Sequence, residues 1–140
     1  MMMSTHRPST QPSVRAVTLI AQEEAQTPLG EPTHPNRPIG FASIFLIIEN
    51  PVDDECRLIV RSLDVIDSET GRLLLHQARP QIIPLMPLEN ATIDIHLTNH
   101  MGYGDARTVK AIAHYQVMPN GTDTPLPTTT IESPIVTVTK

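Results

Sequence analysis

Three of the six histidines lie where side chains from different parts of the chain can converge. His96 and His114 belong to two successive segments of strand character, and His100 follows His96 at the end of the first segment. If these two strands pair, three imidazoles can bind Zn²⁺ or Cu²⁺ and leave one coordination position open. The alternative is that the histidines occupy solvent-facing strand positions. A divalent-metal site at His96, His100 and His114 is therefore one hypothesis.

A second set of possible metal ligands is the carboxylate-rich loop that holds Glu49, Asp53, Asp54 and Glu55. Clustered carboxylates in a loop between strands can coordinate Ca²⁺, which takes about six to eight oxygen ligands. Asp105 would add a ligand if its own loop lay at the same end of the molecule. The competing interpretation is a solvated acidic turn.

The sequence offers neither a catalytic nucleophile nor an acid–base pair. It contains no G-x-S-x-G motif. Cys56 has no base beside it in the sequence, and we interpret it as a small buried hydrophobic residue. Gly102 and Gly104 flank Tyr103 in a loop that precedes a strand, whereas a phosphate site would need the N-terminus of a helix there. We expect a protein that is not an enzyme and needs no cofactor.

Composition narrows the remaining classes of function. The 140 residues predict one domain, and a net charge of −5 lacks the basic surface that binds nucleic acid. A single cysteine excludes an internal disulfide framework and a four-cysteine zinc site. The apolar runs are too short for a transmembrane helix, and no apolar signal segment follows the start of the chain. We therefore expect a cytoplasmic protein that does not insert into a membrane.

The elements that would position these residues are strands, since no segment has a convincing helical period. Apolar, β-branched stretches separated by turn signals predict strands at residues 39–49, 57–67, 72–76, 92–98, 109–117 and 131–139. Prolines at 80, 84 and 87 confine the segment between the strands predicted at 72–76 and 92–98 to a sheet edge. The predicted fold is an all-β, antiparallel sandwich of about seven strands.

The first 38 residues differ from the rest of the chain. They contain six of the 14 prolines, which remove backbone donors and restrict the preceding residues. We predict a Pro-rich N-terminal arm at residues 1–38, with one strand at 14–21, and a sandwich domain at residues 39–140. Such an arm can wrap over a neighbouring subunit, or it is a disordered tail.

Three stretches resemble small immunoglobulin-like modules, most closely the FxLYD-type and late-embryogenesis-type sandwiches. They are Ile47-Ile48-Glu49-Asn50-Pro51, Val65-Ile66-Asp67-Ser68-Glu69-Thr70-Gly71-Arg72-Leu73 and Ile83-Pro84-Leu85-Met86-Pro87-Leu88-Glu89. In such modules a strand ends in an Asn turn, the next ends in a D-x-x-G hairpin, and a P-L-x-P turn precedes the following strand. The resemblance covers about residues 40–98 and lacks the antibody-type Cys and Trp core. It implies an immunoglobulin-like sandwich that binds or scaffolds, with no catalytic residue.

The segment at residues 39–49 is apolar on both faces, whereas a strand with one wet face alternates apolar and polar residues. Phe41, Phe45 and Ile47 share one parity, and Ile44, Leu46 and Ile48 share the other. We take Ile44, Leu46 and Ile48 as the outward set. Either the arm or a loop covers this second face, or a partner subunit does, since large apolar patches mark interaction sites.

The expected function is therefore that of a non-catalytic subunit that interacts with another protein or with itself. The interaction residues would be Phe41, Ile44, Leu46 and Ile48. The alternative is a small module that binds a metal ion or another ligand.

Overall fold

The computed structural model of the protein describes residues 11–24 and 38–140. These residues form nine strands and no helix: β1 (Ser13–Glu24), β2 (Ile39–Glu49), β3 (Cys56–Asp67), β4 (Leu73–Gln77), β5 (Gln81–Leu85), β6 (Asn90–Asn99), β7 (Thr108–Pro119), β8 (Thr129–Glu132) and β9 (Val136–Thr137). All of the strand pairs in the two sheets are antiparallel. The predicted all-β sandwich is confirmed.

The strands form a three-stranded sheet and a six-stranded sheet. The three-stranded sheet has the order β1-β2-β6, with β2 in the centre. In the six-stranded sheet, β3 pairs with β7 along one edge and with β4 and β5 in succession along the other. The far edge of β7 pairs with β8 and β9. Within the described residues, no helix has the length and apolarity needed to cross a bilayer.

The core lies between the two sheets, and β2 contributes three of its fully buried aliphatic side chains. Ile44, Leu46 and Ile48 are each 0% exposed. The prediction that these three residues point outward was therefore wrong. Because both parities of β2 are apolar, only the position of the second sheet decides which one is covered, and that sheet packs on Ile44, Leu46 and Ile48.

Strand β1, which the sequence analysis placed within the N-terminal arm, is part of this core. Its pairing with β2 runs from Ser13 opposite Glu49 to Glu24 opposite Ile39, with one register shift near its start. Val14, Val17, Leu19 and Ala21 are the core residues that it contributes. The strand predicted at residues 14–21 is confirmed, and the Pro-rich stretches at 1–10 and 25–37 lie outside the described residues.

The segment predicted as one last strand, at residues 131–139, is divided between β8 and β9. Pro134 has no amide hydrogen to donate, so it cannot continue the ladder with β7. Ser133, which precedes it, keeps the chain attached. Its amide donates to the carbonyl of Ala111 at 2.8 Å, and its hydroxyl accepts from the Ala111 amide at 2.8 Å.

The loop after β6 is held in place by Tyr103, whose side chain is fully buried. Its hydroxyl donates to the carbonyl oxygen of Phe41 at 2.6 Å, and its amide donates to Oε1 of Glu23 at 2.7 Å. Burial raises the pKa of the Tyr103 phenol well above its usual range, and the Glu23 carboxylate adds to this shift. Gly102 takes a φ of 66°, and a Cβ at this position would clash with the Glu23 carboxylate. The loop that the sequence places at Gly102, Tyr103 and Gly104 therefore has a structural role.

Candidate functional site

The side chains of β1, β2 and β6 that point away from the core form a surface that we call the outer face. Neighbouring strands place Ile20 beside Ser43, and Phe45 between Thr18 and Asp94. Ile20 is 54% exposed and Ile47 is 43% exposed, while Phe41 and Phe45 are half-buried. The apolar residues of the outer face are Ala16, Ile20, Phe41, Phe45 and Ile47.

This arrangement reverses part of the predicted set of interaction residues. Phe41 lies on the outer face as an interaction residue would, but Ile44, Leu46 and Ile48 are enclosed in the core and cannot contact a partner in the folded chain. The residues of β2 that are available for contact are those of the opposite parity, which point to the outer face. An apolar surface that involves this strand stays a prediction, carried by Phe41, Phe45 and Ile47.

Polar groups border the apolar part of the outer face. Arg15 contacts Glu49 at 3.1 Å. Across the sheet, Nε2 of His96 lies 3.0 Å from Oδ2 of Asp94, and Nδ1 of His96 lies 3.1 Å from the hydroxyl of Ser43. Exposed ion pairs of this kind add little to folding stability, typically about 0–1 kcal/mol. An apolar centre with a polar border is the usual composition of a protein interface.

The three histidines proposed as metal ligands are not brought together. His96 lies on β6 in the three-stranded sheet, whereas His114 lies on β7 in the six-stranded sheet, and the two strands do not pair. His100 follows the end of β6 and belongs to neither ladder. The strand pairing that the metal hypothesis required is absent. In the described ranges, no group of three or more His, Cys, Asp or Glu side chains has an arrangement that could hold a metal ion.

The structure instead places His114 near Asp64 and His76, on three adjacent strands of the six-stranded sheet. Nδ1 of His76 hydrogen-bonds to Oδ1 of Asp64, and Nε2 of His114 lies 3.8 Å from Oδ2 of the same carboxylate. On its other side, Nδ1 of His114 lies 3.0 Å from the hydroxyl of Thr130. The sequence analysis placed His76 at the end of the strand predicted at residues 72–76 and gave it no contact. The signal that could have found its contact is the hairpin at Gly71, whose register sets Asp64 opposite His76.

The acidic loop does not assemble a calcium shell. The carboxylate of Glu49 is paired with Arg15, and Asp105 lies at the opposite end of the sandwich, where it contacts Arg72 at 3.0 Å. Asn50 organises the loop: its amide nitrogen donates to the carbonyls of Asp54 and Met86 at 2.9 and 2.8 Å. Its side-chain oxygen accepts the amide of Val52 at 3.2 Å. The loop is built by an amide side chain that is itself 1% exposed.

Two open clefts flank Cys56 at this end of the molecule, with volumes of about 310 and 270 Å³. Both are lined by Glu55, Cys56, Pro119 and Asn120. Cys56 is buried, as the sequence predicted, and burial raises the pKa of its thiol. A thiol with a raised pKa stays protonated at neutral pH and is a poor nucleophile.

No model of a known protein family matches the sequence. The search of curated proteins returned no match either. The resemblance to small immunoglobulin-like modules therefore stays a prediction, and the function is inferred from the residues themselves.

Proposed function

We propose that the protein is a non-catalytic interaction module that serves as a structural subunit of an assembly. The partner is a second polypeptide that covers the outer face of the three-stranded sheet with apolar side chains. This proposal keeps the central role that the sequence analysis gave to strand β2, but it uses the opposite parity of that strand.

The observation that carries the proposal is the exposure of one aliphatic side chain on the central strand of the sheet and of another on the neighbouring strand β1. Ile20 and Ile47 expose about half of their surface, and Phe45 lies between their rows on β2. Complete burial of one such side chain contributes about 1.5–3 kcal/mol. A partner that covers both isoleucines and the adjacent aromatic rings would therefore gain a favourable apolar contribution without any rearrangement of the core.

The polar border of the outer face supports the same function. Arg15 and Glu49 lie at the end of the outer face next to Ile47, and Asp94 and His96 lie on strand β6. Charged groups at the rim of an interface contribute more to partner choice and to the rate of association than to affinity. The outer face thus offers both an apolar contact area and charged groups that can orient a partner.

The test compares two lysine substitutions in the tagged, full-length chain, expressed in its own host. Ile47→Lys places a charge on the outer face, while the matched control Ile82→Lys makes the same change at a residue of β5 that is 59% exposed. Neither side chain is enclosed in the core, so both variants should fold, with a loss of stability of no more than about 1–2 kcal/mol. Thermal unfolding checks this before the binding measurement.

We expect a near-stoichiometric partner to co-purify with the parent chain and with Ile82→Lys, and to be reduced at least about tenfold with Ile47→Lys, because the partner would have to bury an unpaired ammonium group. A partner that is retained equally by both variants would show that the outer face is not the contact. The absence of any near-stoichiometric partner would also contradict the proposal.

A further inference from the structure

Within residues 11–24 and 38–140, strand β6 has one edge with no paired strand. Among the described strands it pairs only with β2, through ten residues in continuous register. The side chain of Asn99 donates to the carbonyl of Leu74 at 2.9 Å, so strand β4 lies close to the Asn99 end of β6. No described strand pairs on this side with residues Thr92 to Thr98, which we call the free stretch. Backbone amides and carbonyls along such an edge can pair with another strand.

The other strands that end a sheet have features that limit pairing, whereas β6 does not. The free side of β1 is joined to the C-terminal segment, since Thr139 accepts from the amide of Glu23 at 2.8 Å and donates to the carbonyl of Ala21 at 3.0 Å. Strands β4 and β5 have five residues each, and β5 contains Pro84. Strands β8 and β9 are shorter still. Strand β6 has ten residues, no proline and no bulge.

The sequence of the free stretch is nearly palindromic about Ile95: Thr-Ile-Asp-Ile-His-Leu-Thr. If two copies of this stretch pair in antiparallel orientation with Ile95 opposite Ile95, then Asp94 faces His96 and Thr92 faces Thr98. Thr–Thr pairs are favourable between directly opposed residues of neighbouring strands, and an imidazole opposite a carboxylate avoids the like-charge contact that is unfavourable there. All four side chains point to the outer face, where they are exposed.

The core side of the same stretch is complementary as well. In this register Ile93 faces Leu97, and both are only partly buried, although Ile95 between them is buried. The inward residues of the central strand β2, in contrast, are essentially inaccessible. A second copy of the strand would cover the remaining surface of Ile93 and Leu97. The pairing is thus favourable on both faces of the sheet.

We propose that the β6 edge is a self-association site, at which two copies of the chain join their three-stranded sheets into one continuous six-stranded sheet. The two copies are related by a two-fold axis at Ile95, so each contact occurs twice. This inference rests on the proposed function and names a second copy of the chain as one partner. It also places the two outer faces side by side on a single larger surface.

The first test uses charge reversal and its rescue. His96→Glu places a carboxylate opposite Asp94 at both symmetric positions, whereas the double variant Asp94→Lys, His96→Glu places opposite charges there. Thr129→Glu on β8, at the other side of the sandwich, is the control for added negative charge. Sedimentation equilibrium of the untagged, full-length chain measures the dimer dissociation constant of each protein.

We expect a dimer for the parent chain, a dissociation constant raised at least about tenfold by His96→Glu, and recovery in the double variant, because the two-fold axis repeats each like-charge or opposite-charge contact twice. Thr129→Glu should dimerise like the parent. A parent chain that is monomeric up to about 1 mM overturns the proposal, since that is the weakest range of measurable association. Dimerisation that is insensitive to His96→Glu also overturns it.

The second test determines the register and holds even if a charge variant fails to fold. In a Cys56→Ala background, Thr92→Cys combined with Thr98→Cys should yield a disulfide-linked dimer on mild oxidation, because the two positions face each other across the axis. Thr92→Cys alone is the control, since in this register its thiol faces Thr98 of the second copy and lies far from its own counterpart. Equal cross-linking of both proteins, or of neither, contradicts the proposed register.

These results are distinguishable from those of the outer-face experiment. A monomeric chain that loses its partner through Ile47→Lys would refute the self-association site and leave the proposed function intact. A dimer that responds to His96→Glu, in a chain with no partner sensitive to Ile47→Lys, would support the edge and refute the outer face as the contact.

Discussion

Ile47 and Ile48 are adjacent in β2, carry the same side chain and point to opposite faces of the same sheet. Ile48 is 0% exposed in the core, and Ile47 is 43% exposed on the outer face. Replacing each by Ala therefore makes the same chemical change in two environments. Because both lie in one central strand, any difference in intrinsic strand preference between Ile and Ala affects both variants alike.

The expected magnitudes follow from burial. Truncation of Ile to Ala removes three carbons, which are worth about 0.8 kcal/mol each when fully buried. The cavity left in an enclosed site adds to this, so Ile48→Ala should lower the free energy of unfolding by about 3–4 kcal/mol. Ile47 is a little more than half buried and leaves no enclosed cavity, so Ile47→Ala should cost about 1 kcal/mol.

Urea unfolding followed by far-ultraviolet circular dichroism measures this difference. For a slope of about 2 kcal/mol per molar urea, the two midpoints should lie at least about 1 M apart, with Ile48→Ala the less stable. A midpoint for Ile47→Ala equal to or below that of Ile48→Ala would refute the assignment of faces. The core would then lie on the side of Phe41 and Phe45, and the outer-face proposal would fail with it.

Three further substitutions test the buried polar groups. Tyr103→Phe should lower the free energy of unfolding at neutral pH by about 1–3 kcal/mol in urea titrations, because it leaves a buried carbonyl without its donor. Because the phenol pKa is raised in the folded state, this stabilisation is present below the ordinary pKa of 10.0 and is lost as the pH rises above it. Tyr103→Phe should not show this loss at high pH. Asn50→Ala should cost about 2–4 kcal/mol in thermal unfolding, since three hydrogen bonds of the acidic loop are removed, whereas Asn90→Ala at an exposed position should cost less than about 1 kcal/mol. The backbone amide of Glu69, the largest cause, lowers the pKa of Asp67 from its ordinary value of 3.8. The stability it contributes is therefore present above that value and is lost as the pH falls below it, so Asp67→Asn should show a smaller loss in acid unfolding than the parent chain.

Much of the fold was predictable because its signals are local. The bounds of β2 at Ile39–Glu49 agree with the apolar run in the sequence, and Asn50-Pro51 ends that run. Gly71 and Gly121 take φ angles of 77° and 80° in the turns that follow β3 and β7. Strand period and turn chemistry depend on residues within a few positions of each other, so the sequence alone indicates them.

The arrangement of the candidate sites depended on contacts between distant parts of the chain. Ser43 and His96 are 53 residues apart and lie side by side on the outer face, while His114 belongs to the other sheet. No local pattern states which strands become neighbours, and the metal hypothesis for the histidines depended on that choice. The contact of Asp64 with His76 and His114 was missed for the same reason.

The clearest division between sequence and tertiary structure is in strand β2. Its residues alone established a strand whose two faces are both apolar, and hence a strand that must be covered twice. They could not decide which face the chain itself covers, because Ile48 and Ile47 have the same intrinsic hydrophobicity. The packing of the second sheet on Ile44, Leu46 and Ile48 determines which face is buried, and the other apolar face of β2 is left partly exposed.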